Sequence, residues 1–392
     1  MIDDPTLQGL SQRGRRGVAA IAIAATVVAI AGIAYVRPSS TSHATTASVP
    51  NPHNPTLVTT PGDLVAVDFV SATLGWALAA SRGGAPTGTP GQFSIFRTMD
   101  GARHWTKQLT GQSDLSGLAT GSIQLFDKDH GFVEATASTT ALYRTSDGGA
   151  HWEPIGLPDV AGQQLFFSDS HHGWLLASPA SASDQTLRLY ATGDGGDSWR
   201  QLHNAPDDSN GMAFRGASEG WSGSYSPTQP HVYRSIDGGH SWQRHDLPTP
   251  KTGLPTETLG DVVVRVLPGH GVVAYLIFQI GSTYEFTSFD NGATWTRVPT
   301  RPRQLLGGGE SFEDAFHWWA IDEGILFKSS NAGQTWTRTP GEVGSANSWQ
   351  YYVKVIDPQH AWAQMFFGQV MGLTVTSDGG AHWTRATLPK PP

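Results

Sequence analysis

Short apolar runs separated by glycine, proline, serine and asparagine recur along the chain from residue 63 to its C-terminal end. The first group has apolar residues at 64–69, a Gly75-Trp76 turn, a second run at 93–98 and a third that begins at Trp105. Runs of about four to eight residues between turn signals are typical of β-strands. The Gly-Trp turn follows the first run and sends the chain back as another strand before the second run begins. Each group therefore predicts four antiparallel strands.

Each of seven successive groups contains one motif between its third and fourth predicted strands. The motif consists of a hydroxyl residue, any residue, an acid, any residue, glycine, two further residues and tryptophan. Its closing tryptophans are Trp105, Trp152, Trp199, Trp242, Trp295, Trp336 and Trp383. Their spacing is typical of repeat architectures, in which each unit buries its apolar face against its neighbours.

The motif has the chemistry of a tight hairpin. A short acid such as Asp147 accepts hydrogen bonds from backbone N–H groups in the turn, and Gly149 tolerates a positive φ angle. In the first copy Ala102 replaces the glycine, and in the sixth Asn331 replaces the acid. These substitutions weaken a turn but would disable a catalytic acid, so we interpret the motif as structural.

The sequence Ser235-Ile236-Asp237-Gly238-Gly239-His240-Ser241-Trp242 resembles the Asp-box, or bacterial neuraminidase repeat, at every position. Within that family the upstream Gly-Trp turns look most similar to photosystem II stability/assembly-factor-like proteins. The resemblance implies an all-β, seven-bladed β-propeller across residues 63–392, and a fold of this kind does not fix an activity. We expect each blade to use its own four strands, with residues 56–59 available as an extra edge strand for the last blade.

Composition limits the classes of function. With 38% hydrophobic residues, 46 glycines and 25 prolines, the chain can bury a large core divided by many turns. A net charge of −8 disfavours a nucleic-acid ligand. The absence of cysteine excludes disulfides, thiolate zinc sites, thiol catalysis and a lipoprotein anchor.

The N-terminal part predicts a membrane anchor. Residues 17–36 form an uncharged apolar run long enough to cross a bilayer as a helix. Arg13, Arg15 and Arg16 precede it, so the positive-inside rule places residues 1–16 in the cytoplasm and the repeats outside the cell membrane. Residues 37–62 are rich in serine, threonine and proline and predict a linker. A cleaved signal peptide is the alternative.

Two sets of side chains qualify as candidate sites. Alignment on the Gly-Trp turns places five polar residues at one depth near the central channel, where they either meet a ligand or hydrogen-bond water and one another: Asp68, Gln124, Arg265, Ser311 and Lys354. Five histidines in the first turns resemble a metal set, but their spread around a ring favours a shared turn preference: His130, His172, His270, His317 and His360. We therefore predict no metal, cofactor or catalytic residue.

Arginines recur at fixed offsets from the motif. Arg97, Arg144 and Arg234 stand directly before its hydroxyl residue, and others follow the tryptophan: Arg244, Arg297, Arg338 and Arg385. Fixed offsets favour structural pairing on the blade surfaces. A basic patch for a partner is the alternative.

We predict a monomeric, non-catalytic module that binds a protein or a glycan at the face that carries the variable loops, residues 81–91, 178–184, 224–230, 247–259 and 340–348. A sialidase-like or other glycoside hydrolase is the alternative. Sialidases place an arginine in an Arg-Ile-Pro motif, which this chain lacks, and they are more commonly six-bladed. Spacing singles out no catalytic pair among the carboxylates Glu134, Glu219, Glu285, Glu310 and Glu313.

Overall fold

The computed structural model describes residues 63–81, 91–113, 120–136, 140–179, 186–225, 229–248, 261–277, 283–299, 309–322, 324–344, 350–367 and 370–389. Within them the chain forms seven four-stranded antiparallel sheets. In order the strands are β1 (Asp63–Phe69), β2 (Gly75–Ser81), β3 (Gly91–Thr98) and β4 (Thr106–Ser113) in blade 1; β5 (Thr120–Leu125), β6 (Gly131–Thr136), β7 (Thr140–Thr145) and β8 (Glu153–Ile155) in blade 2; β9 (Val160–Phe167), β10 (Gly173–Pro179), β11 (Arg188–Thr192) and β12 (Arg200–Leu202) in blade 3; β13 (Ser209–Arg215), β14 (Glu219–Ser224), β15 (His231–Ser235) and β16 (Gln243–Asp246) in blade 4; β17 (Val262–Val266), β18 (Val272–Ile277), β19 (Thr283–Ser288) and β20 (Thr296–Val298) in blade 5; β21 (Glu310–Phe312), β22 (Trp318–Asp322), β23 (Ile325–Ser329) and β24 (Thr337–Glu342) in blade 6; and β25 (Gln350–Val355), β26 (Ala361–Phe367), β27 (Val370–Thr376) and β28 (Thr384–Arg385) in blade 7.

The seven sheets confirm the predicted seven-bladed propeller. Each blade pairs its own four strands in chain order, so the first and last blades exchange no strand among the described residues. The first strand of a blade lies beside the first strand of the next, as β1 lies beside β5 and β13 beside β17. The predicted fourth strands begin one residue after each motif tryptophan, because the tryptophan itself still belongs to the turn.

The hydrophobic core lies between blades. Phe132 of blade 2 stacks on Phe167 of blade 3 with ring centroids 3.7 Å apart, and Trp174 of blade 3 stacks on Phe214 of blade 4 at 3.6 Å. Trp221 of blade 4 packs in one cluster with blade 5 strands β17 and β18. A single blade therefore cannot bury its own apolar surface, which is the physical reason for the repeat.

The motif turns and the Gly-Trp turns share one face of the propeller. The amide of Gly148 donates to the carbonyl of Asp129 at 2.9 Å, and the amide of Gly238 donates to that of Ser218 at 2.9 Å. Each bond joins the turn between strands 3 and 4 to the turn between strands 1 and 2 of the same blade. We call this side the box face and the opposite side the loop face.

The predicted membrane helix at 17–36, the linker at 37–62 and the extra edge strand at 56–59 lie outside the described residues. The part of the chain that the structure describes contains no helix with the length and hydropathy of a membrane span.

Candidate functional site

The Asp-box hairpin is closed by its own side chains. In blade 2 the Thr145 hydroxyl donates to Asp147 Oδ1 at 3.0 Å and accepts the amide of Gly149 at 2.7 Å. The amide of His151 donates to the same carboxylate oxygen at 2.9 Å. The backbone hydrogen bond from His151 is the main reason that the pKa of Asp147 falls to about 2.

The two departures from the motif keep the same geometry. Asn331 accepts from the Ser329 hydroxyl at 3.0 Å and from the amide of Thr335 at 2.9 Å through its single amide oxygen. Ala102 takes a φ of 66°, in the left-handed region that favours glycine. An amide oxygen accepts these hydrogen bonds as a carboxylate does but transfers no proton, so the geometry supports the structural interpretation of the motif.

Four of the five first-turn histidines pair with an aspartate three residues earlier in their own turn. Asp127 Oδ1, for example, accepts the amide of His130 at 2.8 Å and lies 3.0 Å from its Nδ1. The other three pairs are Asp169–His172, Asp314–His317 and Asp357–His360. His270 instead places Nε2 2.6 Å from the carbonyl oxygen of Phe289. Each contact is local to one blade, in line with a turn preference.

The arginines before the motif reach the Asp-box of the next blade. Arg144 donates to the carbonyls of Asp194 and Gly195, each at 3.2 Å, and pairs with Asp197 at 2.9 Å. Arg234 donates to Asn291 Oδ1 at 3.1 Å. Arg97 lies over the Trp76 ring beside Gly148. These contacts support the structural pairing predicted from the offsets. Because the three guanidinium groups already have partners within the propeller, they are poorly placed to form a basic patch for another molecule.

The five channel candidates lie at one register position on the first strands of their blades. Each pairs with the second residue of the neighbouring strand, as Asp68 pairs with Trp76. Their partners lie on the next blade rather than on one another, apart from one ion pair. Asp68 accepts the amide of Leu125 at 3.0 Å, Gln124 donates to the carbonyl of Phe167 at 2.7 Å, and Arg265 contacts that of Glu310 at 3.4 Å. Ser311 accepts the amide of Val355 at 2.9 Å, and Lys354 pairs with Asp68.

We call the side chains at this register position the belt. Blades 3 and 4 also contribute to the belt, with residues that alignment on the Gly-Trp turns did not include. In blade 3 the same register position holds Phe166, whose ring lies 6.4 Å from that of Phe214. In blade 4 it holds Ala213, and Arg215, two residues later, donates to the carbonyl of Leu267 at 3.0 Å. The belt therefore joins neighbouring blades near the box face.

A polar cluster occupies the loop face of blade 4. The Tyr233 hydroxyl donates to Asp208 Oδ1 at 2.7 Å, and His231 Nε2 lies 3.1 Å from both Asp208 Oδ2 and that hydroxyl. Burial opposes ionisation of Asp208, but the hydrogen bonds from His231 and Tyr233 outweigh it and lower the pKa of Asp208. Burial and then Asp208 raise the pKa of Tyr233.

Asp261 extends this cluster to blade 5. The amide of Tyr225 donates to the carbonyl of Asp208 at 2.7 Å, and Tyr225 also forms an isolated antiparallel bridge with Asp261. Burial raises the pKa of Asp261 to about 6. The Tyr225 side chain is exposed. We call Asp208, Tyr225, His231, Tyr233 and Asp261 the mouth cluster, because Asp208 and Asp261 immediately precede inner strands β13 and β17.

Sequence reasoning did not find the mouth cluster, although one signal was available. Asp208 and Asp261 each stand one residue before an apolar inner strand, at the end where that strand leaves the loop face. The cluster has three features that suit binding: an exposed aromatic ring, a half-buried carboxylate and a carboxyl group with a raised pKa.

The carboxylates considered for catalysis are spread over blades 2, 4, 5 and 6, and three of them accept hydrogen bonds from other side chains. Glu219 pairs with Arg215 at 2.8 Å and accepts the Trp221 indole N–H at 3.1 Å. Glu310 is buried and accepts the Tyr275 hydroxyl at 2.7 Å. Glu134 is buried and accepts the Ser122 hydroxyl at 3.2 Å. Glu285 lies on β19, and Glu313 donates its backbone amide to the carbonyl of His317 at 2.9 Å.

No family model matches the sequence, and no curated protein matches it. Solved structures do. YCF48 bound to D1 peptide is similar with a TM-score of 0.53 and 15% identity, covering 86% of this chain and 100% of that one. YCF48 from Cyanidioschyzon merolae has a TM-score of 0.51 and 14% identity, with 82% and 97% covered.

An ancestral GH74 enzyme has a TM-score of 0.52 and 12% identity, and 84% of this chain matches 47% of that protein. The chain thus spans about half of the enzyme. At these identities the likeness concerns the fold alone. The chain is therefore an Asp-box type seven-bladed β-propeller, similar in fold to YCF48 and to one part of a GH74 enzyme.

Proposed function

We propose that this propeller is a non-catalytic binding module that holds a protein segment with a cationic side chain at the mouth cluster. The observation that carries the proposal is the exposed side chain of Tyr225, whose backbone pairs with the backbones of Asp208 and Asp261 on the loop face. A tyrosine ring attracts a cation through its face, and two carboxyl groups add charge complementarity.

Charge and fold favour a protein segment as ligand. The exposed Asp207 and the half-exposed Asp208 give this part of the loop face a negative potential that attracts lysine or arginine. The similarity to YCF48, whose structure holds a D1 peptide, supports a peptide over a glycan. The predicted variable loops are largely outside the described residues, but the described strands that flank them, such as β14 and β15, end at the loop face. Variable loops are the usual seat of recognition on a rigid scaffold.

The proposal is tested by fluorescence anisotropy of the full-length chain in detergent with three labelled peptides of equal length, rich in lysine, glutamate or glutamine. We expect the lysine peptide to bind best. Tyr225→Ala should weaken it about tenfold, as expected for an interface aromatic. Asp159→Asn, at an exposed acid before β9, is the matched control and should leave binding unchanged.

Asp261 gives this binding a pH dependence. Its carboxyl group is ionised above about pH 6 and loses its charge as the pH falls through that value, so the lysine peptide should bind more weakly below pH 6. Equal binding of the glutamate and lysine peptides, or no effect of Tyr225→Ala, would contradict the proposal.

Glycoside hydrolysis is a second candidate function, favoured by the position of Asp208 and Asp261, whose backbones both pair with Tyr225 on the loop face. Paired carboxyl groups with separated pKa values divide the roles of acid and base in glycosidases. Turnover of a fluorogenic glycoside that Asp261→Asn abolishes, at an unchanged melting temperature, would favour the enzyme over the binding module.

We also propose that residues 17–36 anchor the propeller outside the cell membrane, on the basis of the apolar run and the arginines before it. Protease added to intact cells should then remove the propeller. Protection until lysis would reverse this assignment.

A further inference from the structure

The second residue of each Asp-box lies at the tip of a turn on the box face. Three of the seven copies carry a large apolar residue there, Met99, Ile236 and Phe289, while the others carry Ser146, Gly193, Ser330 and Ser377. Ile236 is 68% exposed. Phe316, in the first turn of blade 6, is 51% exposed and stands next to Phe289. Single exposed apolar side chains are ordinary, but a set on consecutive blades is not.

Phe289 and Phe316 form a rigid aromatic platform across blades 5 and 6. Their ring centroids are 5.3 Å apart at an interplanar angle of 21°. Phe289 packs on Gly271, where a Cβ atom would lie 2.7 Å from its Cδ1. The carbonyl of Phe316 accepts the amide of Ala332 at 2.9 Å, which fixes its turn to the Asp-box of blade 6. Because both rings are already held, docking would cost little ordering entropy.

Ile236 occupies on blade 4 the same turn position that Phe289 occupies on blade 5. Arg234 of that blade donates to Asn291 in the Asp-box that carries Phe289, so the two turns lie on joined neighbouring blades. We call Ile236, Phe289 and Phe316 the apolar patch.

Acidic groups surround the apolar patch. The pKa values of Asp237 and Asp290 are about 2, so both are ionised at neutral pH. Glu313 and Asp314 lie in the turn that carries Phe316. The nearby cations are engaged, since Arg234 contacts Asn291 and Lys328 lies over the Trp319 ring.

We propose that the apolar patch docks a partner protein segment that presents apolar side chains flanked by lysine or arginine. Aromatic anchors in a fixed position are the usual energetic centre of protein interfaces, and the acidic surround favours a cationic rim on the partner. A second copy of the chain would bring like charges together on the same face. An anionic lipid surface would meet the same repulsion.

The test uses a labelled amphipathic peptide of leucine and lysine, with a leucine–glutamate peptide and a serine–lysine peptide of equal length for comparison. The full-length chain should bind the leucine–lysine peptide best. Phe316→Ala and Ile236→Ser should each weaken it about tenfold. Met99→Ala is the matched control, since Met99 is 71% exposed at the same turn position on the distant blade 1, and it should have no effect.

The two binding surfaces are separable. The leucine–lysine peptide also carries lysines that the mouth cluster would bind, so the comparison is made in the Tyr225→Ala background, where Phe316→Ala should still weaken binding about tenfold. Failure of the loop-face site therefore does not imply failure of the apolar patch. Melting temperatures confirm that each variant is folded. Equal weakening by Met99→Ala and Phe316→Ala, or no weakening by Phe316→Ala, would overturn the proposal. Concentration-dependent dimerisation that Phe316→Ala abolishes would overturn it in favour of a second copy.

Discussion

At the scale of residues, one hydroxyl and one carboxylate organise each Asp-box. Ser235 accepts the amide of Gly239 at 2.8 Å, and Asp237 accepts the amide and the hydroxyl of Ser241 at 2.9 and 2.6 Å. Asn331 shows that an amide oxygen can replace the carboxylate, because the turn needs an acceptor and not a proton donor. The motif therefore serves stability, and its acid is exposed because the turn lies at the surface.

Asp237→Ala should lower the free energy of unfolding by about 1 kcal/mol, a modest cost because the carboxylate is solvent exposed. Asp237→Asn should cost less, since Asn331 fills this role in blade 6. The pKa of Asp237 is lowered to about 2, so its contribution is present above the ordinary aspartate value and is lost as the pH falls through about 2. Urea unfolding between pH 2 and 7 measures both effects. Equal losses for the two variants would contradict the acceptor argument.

At the scale of elements, the third strand of one blade is fastened to the Asp-box hairpin of the next. Arg144 at the end of β7 contacts Asp194, Gly195 and Asp197 of blade 3, together with Glu153 of its own blade at 3.3 Å. In blade 6, Lys328 takes the corresponding place beside Gly379 of blade 7. Each such hairpin is closed by its own hydrogen bonds and also contacts a basic side chain of the preceding blade.

Arg144→Ala should lower the free energy of unfolding by about 1–2 kcal/mol, because two backbone carbonyls and two carboxylates lose a charged donor. Arg385→Ala, on the exposed strand β28, is the control and should change it by less than about 0.5 kcal/mol. Urea unfolding at constant pH provides the comparison. Similar values for the two variants would show that the blade joint contributes nothing measurable.

At the scale of the whole molecule, the ring closes through side chains. Lys354 of blade 7 pairs with Asp68 of blade 1, which is only 4% exposed. The Trp105 indole N–H donates to the carbonyl of Thr387 at 2.7 Å, and Phe69 and Trp362 pack in one cluster. These contacts replace the strand exchange that would otherwise join the two ends.

Lys354→Met should lower the free energy of unfolding by about 2 kcal/mol. This is less than for a fully buried pair, because the lysine is partly exposed. The double variant Asp68→Asn/Lys354→Met should lose less than the sum of the two single changes, because the two groups act together. Hydrogen exchange should become faster in β1 and β25. Strict additivity would show that the ion pair does not close the ring.

The sequence by itself determined the blades. Apolar runs, Gly-Trp turns and Asp-boxes predicted the strands and the turns between them, because the hydrogen bonds that close an Asp-box span only four residues, as from Thr145 to Gly149. The number of motif copies then gave the number of blades. The register of the channel residues also followed from the sequence, since each is counted from its own turn.

Only the tertiary structure decided what those side chains contact. Asp68 and Lys354 are 286 residues apart in the chain, and Arg144 meets a carbonyl 50 residues further on. The mouth cluster likewise depends on how blades 4 and 5 meet, which brings Asp208, Tyr225 and Asp261 together. Local sequence patterns do not identify these contacts between blades. The packing of the blades into a closed ring determines which blade surfaces face each other.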